Sequence, residues 1–159
     1  MLLCVYTKNN KEVYPGIVKP ISAQDVTTIA KQGWFFEWEK EYGHPLRHVY
    51  KLLIKGTNDI EGLVSFEYED GFVLVEYLEA APHNLKEDGL KVGAPLIAFA
   101  CKQSFDIGFQ GYVLISIKWN ERMIRYYEDL GAKVFGVGRM GFHPVDSMEL
   151  LKVYLYKGE

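Results

Sequence analysis

The feature that most constrains this chain is a change of hydrophobic period between residues 49 and 117. Three short apolar or alternating runs, residues 49–55, 60–68 and 72–80, are separated by Gly56-Thr57-Asn58-Asp59 and Glu69-Asp70-Gly71. Both breaks carry turn-forming residues, and Asp70-Gly71 is the strongest hairpin signal in the chain. The period then changes. Gly93-Ala94-Pro95 opens a helix with apolar residues at Leu96, Ile97, Ala100, Cys101 and Phe105, and proline stands where a first turn tolerates it. Residues 111–117 follow as a dense β-branched run, the pattern of a buried strand. An antiparallel meander is thus followed by a strand–helix–strand unit, which should cross over right-handedly and make its two strands parallel. One parallel pair in a mostly antiparallel sheet leaves one place where neighbouring strands diverge.

The flanking segments fit the same class. Ile17-Val18-Lys19-Pro20-Ile21 reads as a short strand, and Ser22 caps a helix through Asp25, Val26, Ile29 and Ala30 that closes at Gly33. The ring-rich stretch Trp34-Phe35-Phe36-Glu37-Trp38 predicts a second short helix ending near Gly43 and Pro45. Asn120 caps a further helix with Met123, Ile124, Tyr127 and Leu130 on one face, ended by Gly131. Residues 134–137 and 150–156 read as late strands around a loop at 138–147. The expected fold is α+β: a mixed, mostly antiparallel sheet with one parallel strand pair, flanked by helices on both faces. No linker, repeat or low-complexity tract divides the chain, so residues 1–159 read as a single domain.

Composition excludes several classes. A net charge of -3, from 18 Lys plus Arg against 21 Asp plus Glu, argues against a nucleic-acid partner. The run from Leu2 to Tyr6 is shorter than a secretory core and lacks a basic lead. Nothing approaches the ~20 apolar residues of a membrane span, so no membrane is expected and the default location is the cytoplasm. Two cysteines, Cys4 and Cys101, are too few for a disulfide framework. His44 and His48 stand four apart, but Pro45 interrupts them and no third ligand follows, so no metal is expected.

Several patterns resemble the GNAT superfamily of acyl-CoA-dependent N-acyltransferases. Leu114-x-Ser116-x-x-x-Asn120-x-x-Met123-Ile124-x-x-Tyr127-Glu128-x-Leu130-Gly131-Ala132 is similar to that family's end-of-strand and fourth-helix signature. Ile17-x-Lys19-Pro20-x-x-x-x-Asp25 resembles its first strand and helix start, and Leu78-x-Ala80-x-Pro82 its fourth-strand ending. Together these cover nearly the whole chain. One departure stands out. The family's pyrophosphate loop reads Arg or Gln-x-x-Gly-x-Gly or Ala, and this chain has Asp88 and Lys91 where the first residue and first glycine belong.

The resemblance implies acetyl-CoA as cofactor, bound by the backbone of Leu78, Glu79 and Ala80 along its pantetheine arm. Asn120, besides capping its helix, would touch the same arm. Tyr127 would be the general acid for the leaving thiolate, or else a core aromatic on the apolar face of its helix. A helix N-terminus holds phosphate through free N–H groups and its positive dipole end. Gly89, Val92, Gly93 and Ala94 would let pyrophosphate approach closely, with Lys86 or Lys91 adding charge, or they form an ordinary glycine-containing loop. Glu76 is the candidate base, expected to share a strand face with Leu78 and Ala80 while Glu79 points the other way. It reads equally as a paired strand carboxylate. Trp34, Phe35, Phe36, Trp38 and Tyr42 are rings that would border the acceptor site, with Trp34, Phe35 and Trp38 as its candidates, or they are simple packing. The acceptor would be a primary amine of a small molecule or peptide, and a homodimer through an exposed strand edge is a further expectation. A non-catalytic acyl-CoA-binding or regulatory module is the alternative.

Overall fold

The computed structural model describes residues 1–117, 121–136 and 138–158. Eight strands form one sheet: β1 (Leu3–Tyr6), β2 (Val13–Pro20), β3 (His48–Ile54), β4 (Gly62–Tyr68), β5 (Val73–Ala80), β6 (Val113–Ser116), β7 (Lys133–Val134) and β8 (Arg139–Phe142). Their spatial order is β1-β2-β3-β4-β5-β6-β8-β7. Every pairing is antiparallel except β5 with β6, which is parallel. The helices are α1 (Ala23–Ala30), α2 (Trp38–Gly43), α3 (Gly93–Asp106), α4 (Glu121–Asp129) and α5 (Pro144–Tyr154), with one 3-10 turn at Pro82–Leu85. The expected α+β class, the mostly antiparallel sheet and its single parallel pair are therefore observed.

Alternation along the strands separates two apolar layers. Leu52, Val64, Val73, Val75, Val113 and Ile115 face one side, where α3 supplies Leu96, Ile97 and Ala100. Val49, Leu53 and Leu63 face the other, where α1 and α2 supply Ile29 and Trp38. Helices thus cover both faces. The start of α1 is held by a reciprocal capping box between Ser22 and Asp25. Asp25 also receives the Lys51 ammonium at 2.7 Å, which ties the helix to β3. The hairpin signal at Asp70-Gly71 is confirmed. Gly71 adopts a φ of +92°, the left-handed conformation that only glycine reaches freely, between β4 and β5.

Several expectations change. Residues 150–156, read as a strand, lie largely in α5. Their buried stripe, Ser147, Leu150, Leu151 and Tyr154, follows the helical period, and its first member is a serine that hides it. The N–H of His143 donates to the Asp146 carboxylate and Pro144 opens the helix, a start signal that lay inside the presumed loop. That loop also contains β8, so only part of it is irregular. Finally, residues 3–6 are a strand because β2 gives them a partner, Leu3 opposite Gly16 through Tyr6 opposite Val13. The second short helix begins at Trp38 rather than Trp34. Of residues 134–137, Val134 ends β7 and Val137 lies outside the described residues. Among the described residues no helix is long and apolar enough to cross a membrane.

Candidate functional site

The parallel pair creates the site. β5 and β6 pair at Val73–Val113, Leu74–Leu114 and Val75–Ile115, and there the pairing stops. β5 runs on to Ala80, whereas β6 ends at Ser116 and α4 begins at Glu121. A cavity of about 400 Å³ opens between them, lined by Phe36, Glu76, Leu78, Ile117, Met123 and Tyr127 among others. That volume suits a small-molecule ligand or one arm of a larger one.

A β-bulge decides which side chains enter. Ser65 of β4 opposes Tyr77, yet the next residue, Phe66, opposes Val75. Glu76 is the extra residue. A bulge re-aims side chains by breaking the two-residue alternation. Leu78 and Ala80 consequently pack on the α3 side, while Glu76 is turned toward the α2 side. The expectation that Glu76 shares a face with Leu78 and Ala80 is corrected, because it assumed an unbroken pleat. The Ser116 hydroxyl donates to Glu76 Oε1 at 2.7 Å, and Arg47 Nη2 lies 3.4 Å from Oε2. Glu76 is therefore both a paired carboxylate and a wall of the cleft.

Arg47 gathers two more carboxylates, Glu41 and Glu67, each at 2.6 Å. Glu41 also accepts from the Ser65 hydroxyl at 2.7 Å. Burial opposes the charge on Arg47, but the hydrogen bonds it donates to these carboxylates outweigh that and hold the guanidinium more firmly charged. Arg47, Glu41 and Glu67 were not singled out in the sequence. Nothing in their spacing announces them, since they come from a loop, a short helix and a strand.

Tyr127 faces the cleft from α4. Its side chain is 3% exposed, and its hydroxyl has no hydrogen-bond partner among the described residues. Burial pushes its phenol up to about 12, so it stays protonated at neutral pH. Asn120, the other expected residue of this segment, lies outside the described residues.

Glu79 points away from Leu78 and Ala80, as expected, but the bulge leaves it on the same α2 side as Glu76 rather than opposite to it. Its carboxylate accepts from the Phe35 and Phe36 amides at 2.6 and 3.1 Å and from Trp38 Nε1 at 2.8 Å. These bonds pin the ring-rich segment across the end of β5. The three acceptor-site candidates then separate. Trp38 is 2% exposed and belongs to the core, Trp34 packs edge-on against it, and Phe35 is 83% exposed. Phe36, also among the rings expected there, is the one of this segment that lines the cleft, and it meets Tyr77 at 4.8 Å.

The candidate phosphate loop is tightly stitched. The Gly89 amide donates to Lys86 O, that of Leu90 to Asn84 Oδ1, and that of Lys91 to Tyr6 O, at 3.0, 3.0 and 2.8 Å. Lys8 Nζ bonds the Lys86 carbonyl, and Lys91 Nζ bonds Asn10 Oδ1. Val92 is buried against Gly62. At the start of α3, the Tyr126 hydroxyl lies against Gly93, where a Cβ would overlap it, and next to the Ala94 amide. Tyr126 is two-fifths exposed overall, but its polar end is enclosed. That burial raises its phenol above the ordinary range. Only the adjacency of Tyr126 to Tyr127 hints at this contact along the chain.

His44 Nδ1 accepts from the Leu46 amide, and the His48 ring stacks on Phe66, so both have structural roles. Among the described residues no group of three or more His, Cys, Asp or Glu is placed to hold a metal ion. Both cysteines are buried and free.

No family model matches this sequence, and no curated protein matches it significantly. Solved structures do match. The crystal structure of AtaTR bound with AcCoA is similar over 85% of this chain and 97% of that one, with a TM-score of 0.59 and 11% identity. A putative streptothricin acetyltransferase from Bacillus anthracis, in complex with acetyl coenzyme A, covers 79% of this chain and 93% of its own, at 0.56 and 11%. The GNAT domain of S. lividans PAT covers 89% and 96%, at 0.58 and 15%. At such identities the likeness is one of fold. The chain has the fold of the GNAT acetyltransferases.

Proposed function

We propose that this protein transfers an acetyl group from acetyl-CoA to a primary amine by direct attack in a ternary complex. The observation that carries the reading is the diverging β5–β6 pair, with Glu76 and Tyr127 on the walls of one cavity. Acetyl-CoA enters from the solved structures of similar fold, two of which hold it. Its pantetheine arm would lie along Leu78, Glu79 and Ala80, where β5 extends beyond its last pairing with β6. The acceptor is a small-molecule or peptide amine. This assignment includes no nucleic acid and no membrane partner, and it places the reaction in the cytoplasm.

In this scheme the amine first gives a proton to Glu76 or to water. Its lone pair attacks the thioester carbon, a C–N bond forms, and collapse of the tetrahedral adduct breaks the C–S bond. The nitrogen loses its second proton and the thiolate gains one, so an alkylammonium yields amide, thiol and one released proton. Tyr127 donates a hydrogen bond to the departing sulfur.

A second reading is favoured by one specific contact. Tyr126 covers Gly93 and sits beside the Ala94 amide, at the place expected for pyrophosphate. A binding or regulatory module with weak or absent turnover accounts for that. Thermal unfolding with acetyl-CoA, followed by thiol release across an amine panel, separates the cases. Binding to the native state must raise the melting temperature. No shift at saturating acetyl-CoA removes both readings, and a shift without thiol release leaves only the second.

A further inference from the structure

Ser116 closes β6 one position past the last pairing with β5, and its side chain lines the cavity of about 400 Å³ beside Glu76. Val113 and Ile115 pack in the α3-side layer, so alternation turns Ser116 to the α2 side, where the bulge has placed Glu76. Tyr127 packs with the α3-side layer. The cavity therefore passes through the sheet where β5 and β6 part. Tyr127 stands on one face of that passage, and Ser116 with Glu76 on the other.

The hydrogen bonds fix which way Ser116 can act. A serine hydroxyl carries one proton and two lone pairs. Ser116 donates its proton to Glu76 Oε1 at 2.7 Å, and Arg47 holds the other carboxylate oxygen at 3.4 Å. An ionised carboxylate only accepts, so the Ser116 proton is committed, and toward the cavity its oxygen can only accept. A hydroxyl within reach of a base, with that base oriented by a third group, is the geometry of an activated hydroxyl. The other titratable or charged groups around the pair are Glu41 of α2, Glu67 of β4, Tyr77, Tyr127 and Arg139, which lies opposite Ser116 on β8. None is a histidine, cysteine or amine, the classes that ordinarily titrate between about pH 6 and 10.

We propose that Ser116 relays the acceptor's proton to Glu76, and that Arg47 is the residue that positions the carboxylate for it. The proposal rests on the acetyltransferase reading and decides between the two proton routes left open there. The alkylammonium donates an N–H to Ser116 Oγ. As that proton crosses to the oxygen, the hydroxyl's own proton moves to Glu76 Oε1. The nitrogen keeps the electron pair of the broken N–H bond and attacks the thioester carbon. The carboxylic acid formed at Glu76 later yields its proton to water. Ser116 ends as it began and forms no bond to the acetyl group.

The test is the pH profile of kcat/KM for thiol release from acetyl-CoA by the full chain, with n-butylamine and Nα-acetyl-lysinamide as probe acceptors. With a working relay the ammonium and the carboxylate react together, so kcat/KM stays level from about pH 7 to about pH 9, below the titration of an alkylammonium near ~10.4. Without the relay only the neutral amine reacts, and kcat/KM climbs about tenfold per pH unit over that range. Ser116→Ala should therefore fall about 100-fold near pH 7 and return to within about fivefold of the unaltered protein by about pH 9. A residue that only shapes the cleft lowers the rate equally at every pH. Ser116→Thr keeps a hydroxyl on a strand, where β-branching is favoured, and should keep the level profile. If the melting curve shows that Ser116→Ala does not fold, the profiles of the unaltered protein and of Ser116→Thr decide. A tenfold-per-unit climb in the unaltered protein, or a level profile in Ser116→Ala, overturns the relay and leaves acetyl transfer standing. No thiol release with either probe overturns the acetyltransferase reading and the relay with it.

Discussion

Replacing Tyr127 by phenylalanine tests the chemistry with little disturbance to the fold. The hydroxyl has no hydrogen-bond partner among the described residues, so its removal leaves none of them orphaned, and the ring keeps its packing. Stability should change by less than about 1 kcal/mol, which in a chain of this size moves the melting temperature by no more than ~4 °C. The kinetic cost follows from the acidity. A phenol near 12 faces a thiol whose ordinary pKa is roughly 8.5, so complete proton transfer to the thiolate is uphill by about 3.5 units, on the order of 5 kcal/mol. In this pocket the group acts better as a hydrogen-bond donor to the departing sulfur than as a full acid. A hydrogen bond to a charged partner contributes about 1.5–3 kcal/mol, or a loss of roughly 10- to 150-fold in kcat. Steady-state thiol release at saturating acetyl-CoA reads this directly, with the melting curve as control. A loss below about threefold refutes Tyr127 as the donor. A fall in melting temperature beyond about 5 °C assigns the residue to the core instead.

Three further outcomes follow from named contacts. Burial raises Tyr127 from 10.0 and Cys101 from 9.0, each to about 12, so the native state favours their protonated forms. Their stabilisation is complete below pH 9 and erodes as pH rises toward 12, Tyr127 alone accounting for about 3 kcal/mol. Urea midpoints that stay level from pH 8 to pH 11 contradict this, and Tyr127→Phe should flatten its share of the slope. Tyr126→Phe removes the hydroxyl that covers Gly93 at the start of α3 and should tighten CoA binding about fivefold, as one gained hydrogen bond near 1 kcal/mol from the uncovered helix start would, without altering pantetheine binding. Unchanged calorimetric affinity for CoA shows that the α3 terminus takes no part. Glu79→Gln weakens three bonds that pin residues 35–38, and should lower the melting temperature by several degrees. If melting is unaffected, that segment is held by its rings alone.

Local pattern was enough for much of this protein. The Asp70-Gly71 turn, the Ser22 cap, the proline at the start of α3 and the β-branched run of β6 each act within a few residues, and each element followed. The diverging strands were legible for the same reason, because the order of elements forces one parallel pair. What the sequence left undecided depends on distant partners. Leu3–Tyr6 is a strand only because β2 accepts it, and α5 is a helix because α3 buries its stripe beginning at Ser147. Glu76 faces α2 because β4 and β5 fall out of step at Ser65 and Phe66, and a pairing register is not written in either strand alone. Arg47 collects Glu41, Glu67 and Glu76 from three separate elements, and Tyr126 covers Gly93 from the far side of the cleft. Periodicity is a property of neighbours along the chain. Charge balance, register and the closing of the phosphate loop belong to neighbours in space, and only the folded sheet brings those together.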